Sequence, residues 1–176
     1  MSRIAVIGIG NVLTGDDGVG PTIVRVLDAG YDLGPDVEVI AAGTPGLDLT
    51  AYMADVEAIV IVDAVKARGA PGDLRTYDKE ELMKKSPVLA MSPHEPGVRE
   101  ALLNADFMGV APRTFRLVGV IPESVELGCA LSAAVEAAVP RALAQVLDEL
   151  RALGVAPRER VPPRAPDLWW TRKPEA

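Results

Sequence analysis

The chain has 176 residues, 49% of them hydrophobic, and a formal net charge of -7 at pH 7. That length supports one domain with its own core, and an acidic chain with pI near 4.8 is a poor candidate for wrapping nucleic acid or anionic lipid. The single cysteine, Cys129, excludes an internal disulfide and fits a reducing compartment. No apolar run approaches the roughly 20 residues of a membrane span. Ile4 to Leu13 is interrupted by Gly8, Gly10 and Asn11 and is followed by two aspartates, so it reads as a buried strand and not as a signal peptide. The expectation is a soluble, cytoplasmic protein.

In chain order, Ile4 to Ile9 is too apolar to alternate and predicts a buried strand. A glycine-rich turn follows and ends in Asp16 and Asp17. Ile23, Val26, Leu27 and Gly30 then share one helical face, with Pro21 in the first turn and Asp16 or Asp17 available as a cap. Val37 to Ala41 is a second strand leading into the loop Ala42-Gly-Thr-Pro-Gly46, and Leu47 to Val56 reads as a helix. Ala58 to Val62 is the most β-branched run and the expected central strand; it ends at Asp63.

Leu74 to Tyr77 predicts an outer strand, Asp78 to Lys85 a short charged helix, and Val88 to Met91 a brief apolar stretch before Ser92-Pro-His-Glu-Pro96. A helix is expected from Gly97 to Ala105, a strand from Thr114 to Val120, and an Ala- and Leu-rich helix from Leu131 to Leu153. Pro140 should kink that helix or start a second one, and Gly154 should stop it. The alternation of strands and helices predicts an α/β fold: a single-domain α/β/α sandwich with a twisted, mainly parallel sheet spanning residues 1–155. Residues 156–176 form a Pro- and Arg-rich tail expected to be poorly ordered. Within it, Trp169-Trp170 is either a partner contact or an incidental patch pinned on the domain.

Gly8-Ile-Gly10 after a strand invites a dinucleotide-binding reading. The third glycine of that fingerprint would fall at Leu13, and two carboxylates stand where a phosphate would sit. No P-loop lysine is present. The same turn is better read as a source of ligands. Asp17 follows the first strand, Asp63 ends the central one, and His94 lies in the loop after Met91. In a parallel sheet such loops can converge on one edge. Two carboxylates and one imidazole leave positions open on a divalent cation, the pattern of a catalytic site, where a metal can polarise a carbonyl and acidify a bound water. Each residue also has a simpler explanation: Asp17 as a helix cap, Asp63 as an acceptor for loop N–H groups, His94 as a solvated loop side chain.

Four segments in register carry a resemblance. They are Gly8-Ile-Gly-Asn-Val-Leu13 with Asp16-Asp-Gly18, Ile61-Val-Asp-Ala64, Ser92-Pro-His94, and Leu117-Val-Gly-Val-Ile-Pro-Glu-Ser124. Together they resemble the hydrogenase maturation proteases, from Ile4 to about Gly154. The resemblance implies an endopeptidase that removes a C-terminal extension from a [NiFe]-hydrogenase large-subunit precursor after nickel insertion. It implies three metal-contacting and catalytic residues, Asp17, Asp63 and His94, with the nickel supplied by the precursor. A monomer is the corresponding expectation, and the role of Asp16, beside the ligand position, is left open. The loop with Gly43, Thr44 and Gly46 is a candidate for substrate binding. Ala41 departs from the acidic residue the family often has just ahead of that loop, which leaves the cognate precursor unassigned. Two other classes are weighed beside the protease: a nickel-sensing chaperone that docks without cutting, and a nucleotide-binding α/β domain.

Overall fold

The computed structural model describes residues 3–84 and 95–172. Its strands are β1 (Ile4–Ile9), β2 (Tyr31–Asp32), β3 (Val37–Gly43), β4 (Ala58–Ala64), β5 (Leu74–Asp78), β6 (Thr114–Val120) and β7 (Arg158–Glu159). Its α-helices are α1 (Val19–Gly30), α2 (Leu49–Met53), α3 (Lys79–Lys84), α4 (Glu95–Met108) and α5 (Ala133–Ala152). A five-stranded sheet runs in the order β3-β1-β4-β6-β5. All its pairings are parallel except β5 with β6. The apolar run at Ala58 to Val62 does form the centre, hydrogen-bonded on both sides.

Both faces of such a sheet must be covered, so alternate residues of one strand feed two cores. Val60 and Val62 join Ile23 and Leu27 of α1 and Val146 and Leu150 of α5. Ile59 and Ile61 join Leu49 and Met53 of α2, Leu82 of α3, and Leu102 and Ala105 of α4. The result is the expected α/β/α sandwich, with α1 and α5 in one layer and α2, α3 and α4 in the other.

The glycines of the first turn have a steric cause. A Cβ on Gly8 would lie 2.4 Å from the carbonyl oxygen of Gly20, and one on Gly20 would lie 2.3 Å from the carbonyl oxygens of both Ile9 and Val62. Helix α1 therefore starts in backbone contact with the carboxyl ends of β1 and β4. Gly10 has φ +135°, and a Cβ there would fall 1.8 Å from the carbonyl oxygen of Asp17. These three positions tolerate no side chain, and their spacing reflects helix-on-strand packing.

Several expectations are corrected. The cap of α1 is Gly18, with no side-chain hydrogen bond, so neither Asp16 nor Asp17 caps it. The expected helix from Leu47 divides into a 3-10 turn, Gly46–Asp48, and the short α2. Of the two outcomes expected at Pro140, a second helix does not start there: α5 runs through it from Ala133 to Ala152. Pro140 lies on the exposed face, where water can satisfy the carbonyl it releases. Val88 to Met91 lies outside the described residues. Through Arg172, the tail expected to be poorly ordered packs on the domain. Arg158–Glu159 pairs antiparallel with Tyr31–Asp32. Arg160 N–H donates to the Gly30 carbonyl (2.8 Å) and Arg164 N–H to that of Ala29 (2.9 Å). The last carbonyls of a helix lack intrahelical donors, and the tail supplies them at the end of α1. Among the described residues no helix is long and apolar enough to cross a membrane.

Gly20→Ala tests the close approach. A methyl driven against two backbone oxygens cannot be relieved by a rotamer change, so the substitution should cost about 3 kcal/mol. Gly30→Ala, with nothing within 4 Å of the added Cβ, should be neutral or slightly stabilising. Chemical denaturation of the two variants checks the contrast.

Candidate metal and peptidase site

The turn between β1 and α1 is clipped on both sides. On one side, Gly10 N–H donates to the Gly43 carbonyl at 2.8 Å. There β3 carries a register shift opposite Gly8 and Ile9, a local irregularity of the kind that re-aims strand ends at sites. On the other side, Gly15 N–H donates to the Gly128 carbonyl (2.7 Å) and Asp16 N–H to that of Ser124 (3.0 Å). Inside the turn, Asn11 Oδ1 accepts from Leu13 N–H at 3.0 Å. The Asn11 carbonyl accepts from Thr14 N–H at 3.1 Å.

The two aspartates at the end of this turn are both buried, Asp16 at 1% and Asp17 at 3% exposure, yet they do different things. Asp16 points into the loop after β6. Its Oδ2 accepts from the backbone N–H groups of Glu123 (2.8 Å) and Ser124 (3.1 Å) and from Ser132 Oγ (2.9 Å). Its Oδ1 accepts from Ser132 N–H at 2.6 Å. Ser132 is itself the N-cap of α5, accepting from Val135 N–H at 3.3 Å. One carboxylate thus ties the first turn, the loop after β6 and the start of α5 together.

Asp17 faces the turn instead. Its Oδ2 accepts from Asn11 N–H at 2.7 Å, with Thr14 Oγ1 at 3.4 Å. The Thr14 hydroxyl has one proton and the Asn11 carbonyl is nearer, at 3.1 Å, so the Asn11 N–H is the principal tether. Asp63 is in the last turn of pleat of β4, opposite Gly119 of β6, and only 1% exposed. Because Gly20 sits on the carbonyl of Val62, the residue before Asp63, the start of α1 brings Asp17 to the carboxyl edge where Asp63 lies. Burying two carboxylates at one edge opposes hydrophobic stability and calls for compensating partners.

His94, the third residue expected here, lies outside the described residues, as do Ser92 and Pro93. Among the described residues no three His, Cys, Asp or Glu side chains gather as a metal cluster. Of the loop candidates, Gly43 (φ +63°) and Thr44 line a cavity of 260 Å³ together with Gly10 and Asn11. Gly46 instead packs under α4, where a Cβ on Gly97 would lie 3.4 Å from its Cα. A larger cavity of 560 Å³ opens near Ile4, Val37 and Leu153, at the amino edge of the sheet and away from both aspartates.

A family model described as HycI, hydrogenase maturation protease, matches residues 21–149. The chain belongs to the hydrogenase maturation proteases. It is 40% identical over 165 residues to the hydrogenase 2 maturation protease of Escherichia coli K12, covering 90% of this chain and 98% of that one. It is 34% identical over 155 residues to the hydrogenase expression/formation protein HupD of Rhizobium leguminosarum, covering 88% and 77%. Among solved structures, it superposes on the hydrogenase maturating endopeptidase HybD from E. coli with a TM-score of 0.83 at 37% identity, covering 91% of this chain and 99% of that one. The [NiFe] hydrogenase maturation protease HybD from Thermococcus kodakarensis gives a TM-score of 0.68 at 27% identity, covering 84% and 98%. This chain is an endopeptidase of that family.

Sequence reasoning gave Asn11 and Arg25 no role of their own and left Trp170 open between a partner contact and an incidental patch. Asn11 holds Asp17 through a backbone N–H, which side-chain identity does not announce, although an Asn followed three residues later by Thr is a turn signal. Arg25 and Trp170 line the cavity beside Gly43 and Thr44. They are separated by more than half the chain, so no local pattern could pair them.

The division between the aspartates predicts different stability losses. Asp16→Ala removes an acceptor from four donors, three of them backbone N–H groups, and should cost about 3 kcal/mol. Asp17→Asn keeps an oxygen acceptor for Asn11 N–H and should cost less than half as much. Thermal melts should show the Asp16 variant lower by roughly 6–12 °C; equal losses would contradict the division.

Proposed function

We propose that this protease removes a C-terminal extension from the large-subunit precursor of a [NiFe]-hydrogenase after nickel insertion, and that Asp17, Asp63 and His94 meet the nickel when the two proteins dock. The observation that carries the reading is a pair of carboxylates, 3% and 1% exposed, held at one edge of the sheet by close helix-on-strand packing. Further support comes from α4. Its first residue, Glu95, follows His94 in the chain, and its first turn lies against Gly46 at the end of the β3 loop.

In this reading the nickel is part of the substrate, brought by the precursor. Carboxylate oxygens and an imidazole form a donor set that suits a divalent first-row ion and leaves positions for the precursor's own ligands. When bound at this edge, the ion supplies Lewis acidity towards the scissile carbonyl. The protease's own residues supply position. The Asn11 N–H fixes one oxygen of Asp17 before the precursor arrives, so the carboxylate loses little freedom on engagement. Asp63 is fixed by the strand itself. Gly43 and Thr44, beside Asn11, offer backbone groups to the extended peptide around the cut.

The test is to incubate the protease with nickel-loaded and nickel-free precursor and measure the precursor's intact mass. Loss of a C-terminal peptide only from the nickel-loaded form is expected. An unchanged mass with a stable complex would support the docking chaperone instead. Asp17→Ala, Asp63→Ala and His94→Ala should each slow cleavage by about 100-fold or more while circular dichroism shows the fold retained. Full activity in all three would overturn the assigned residues. Calorimetry should find the isolated protease binding nickel weakly, with nanomolar affinity as the contrary result.

A further inference from the structure

The cavity beside the turn carries an arginine and two tryptophans that the peptidase reading does not use. Its walls include Asn11, Arg25, Gly43, Thr44, Trp169 and Trp170. Trp170 is 8% exposed and Trp169 54%. Their rings meet edge to face at 5.7 Å and 88°, a favourable aromatic arrangement that fixes both. The Nε of Arg25 is buried and has no hydrogen-bond partner among the described residues. A buried N–H without an acceptor is costly, and native structures rarely leave one so without a ligand or water. The planar guanidinium fork matches a carboxylate better than any other acceptor.

The cavity also lies next to the candidate site. Asn11 lines it and at the same time donates its backbone N–H to Asp17. At 260 Å³ it is smaller than a typical small-molecule pocket of about 300–1,000 Å³, a size that suits a peptide side chain or terminus. A peptide extended away from Asp17 covers roughly 3.3–3.6 Å per residue and reaches it within a few residues.

We propose that Arg25, with Trp169 and Trp170, forms a subsite for a carboxylate on the precursor's C-terminal extension. This rests on the peptidase reading above for the identity of the peptide. The carboxylate comes either from an Asp or Glu side chain or from the chain terminus. The tail residues form the outer wall, so the C-terminal segment of the protease takes part in substrate selection.

Trp169 and Trp170 are the protein's two tryptophans, so intrinsic fluorescence reports on the cavity. The probe is a synthetic peptide with the sequence of the precursor's extension. It is compared with a C-terminally amidated form and with a form whose Asp and Glu are replaced by Asn and Gln. A saturable fluorescence change with the free-acid peptide is expected, weakened about tenfold in Arg25→Gln and partly kept in Arg25→Lys. Whichever modified peptide loses binding identifies the carboxylate. On nickel-loaded precursor, Arg25→Gln and Trp169→Ala should raise KM by about five- to tenfold with kcat within about twofold. Unchanged peptide affinity and KM in Arg25→Gln would overturn the subsite. Should the wild-type protease leave the precursor uncut, the peptidase reading fails, and the fluorescence titration still decides the subsite: binding lost in Arg25→Gln supports it, and no binding overturns it.

Discussion

The protease depends on one steric constraint, the backbone contact between the start of α1 and the carboxyl ends of β1 and β4. Gly8, Gly10 and Gly20 permit it, because a Cβ at any of them would overlap a carbonyl oxygen. Without that approach, α1 would ride higher on the sheet, as helices with side chains at the contact do. Asp17 would then be lifted away from the edge where Asp63 ends β4. The turn resembles a phosphate-binding loop only because both kinds of turn need glycine for close approach. What the approach delivers differs: here it is a carboxylate, held by the N–H of Asn11.

Burying two acids at the head of one helix sets up a conflict, and Asp16 shows how the fold resolves it. Four donors converge on its carboxylate, and they come from the loop after β6 and the cap of α5. The interaction that satisfies the charge of Asp16 is therefore also the one that fixes the far wall of the turn. Asp17 can then be presented to the site by a turn that is rigid on both sides, clipped to Gly43 and to Gly128. Neighbouring residues of the same type face opposite ways: the carboxylate of Asp16 ties the loop after β6 to α5, and that of Asp17 turns back to Asn11.

The sheet was legible because buried parallel strands write themselves as uninterrupted apolar runs: Thr114 to Val120 and Ala58 onward appear where the runs are. Asp63 stood out in the sequence because it interrupts such a run near the carboxyl end of β4. Position in sequence could not reveal what depends on contacts across the chain. The carboxylate of Asp16 finds its partners more than a hundred residues away. Pro140 continues α5 because it happens to face solvent, a fact of packing and not of local propensity. The tail from Ala156 has the composition of a disordered segment, yet the unsatisfied carbonyls at the end of α1 give its backbone a place to bind.

That tail links stability to selection. Hydrogen bonds from Arg160 and Arg164 fasten it along α1, and the direction they impose carries Trp169 and Trp170 towards the first turn of the same helix and the Gly43-Thr44 loop. Helix α1 therefore has the site-bearing turn at one end and the tail's anchor at the other. Because the anchor's donors are backbone N–H groups, only loss of those groups, as in a change to proline, would release the tail, whereas a side-chain change in the cavity wall removes one contact while the tail stays fixed. In a chain with net charge -7, a half-buried arginine that shares a cavity with two tryptophans is a local exception to the field, and exceptions of that kind discriminate among peptides more sharply than the field does.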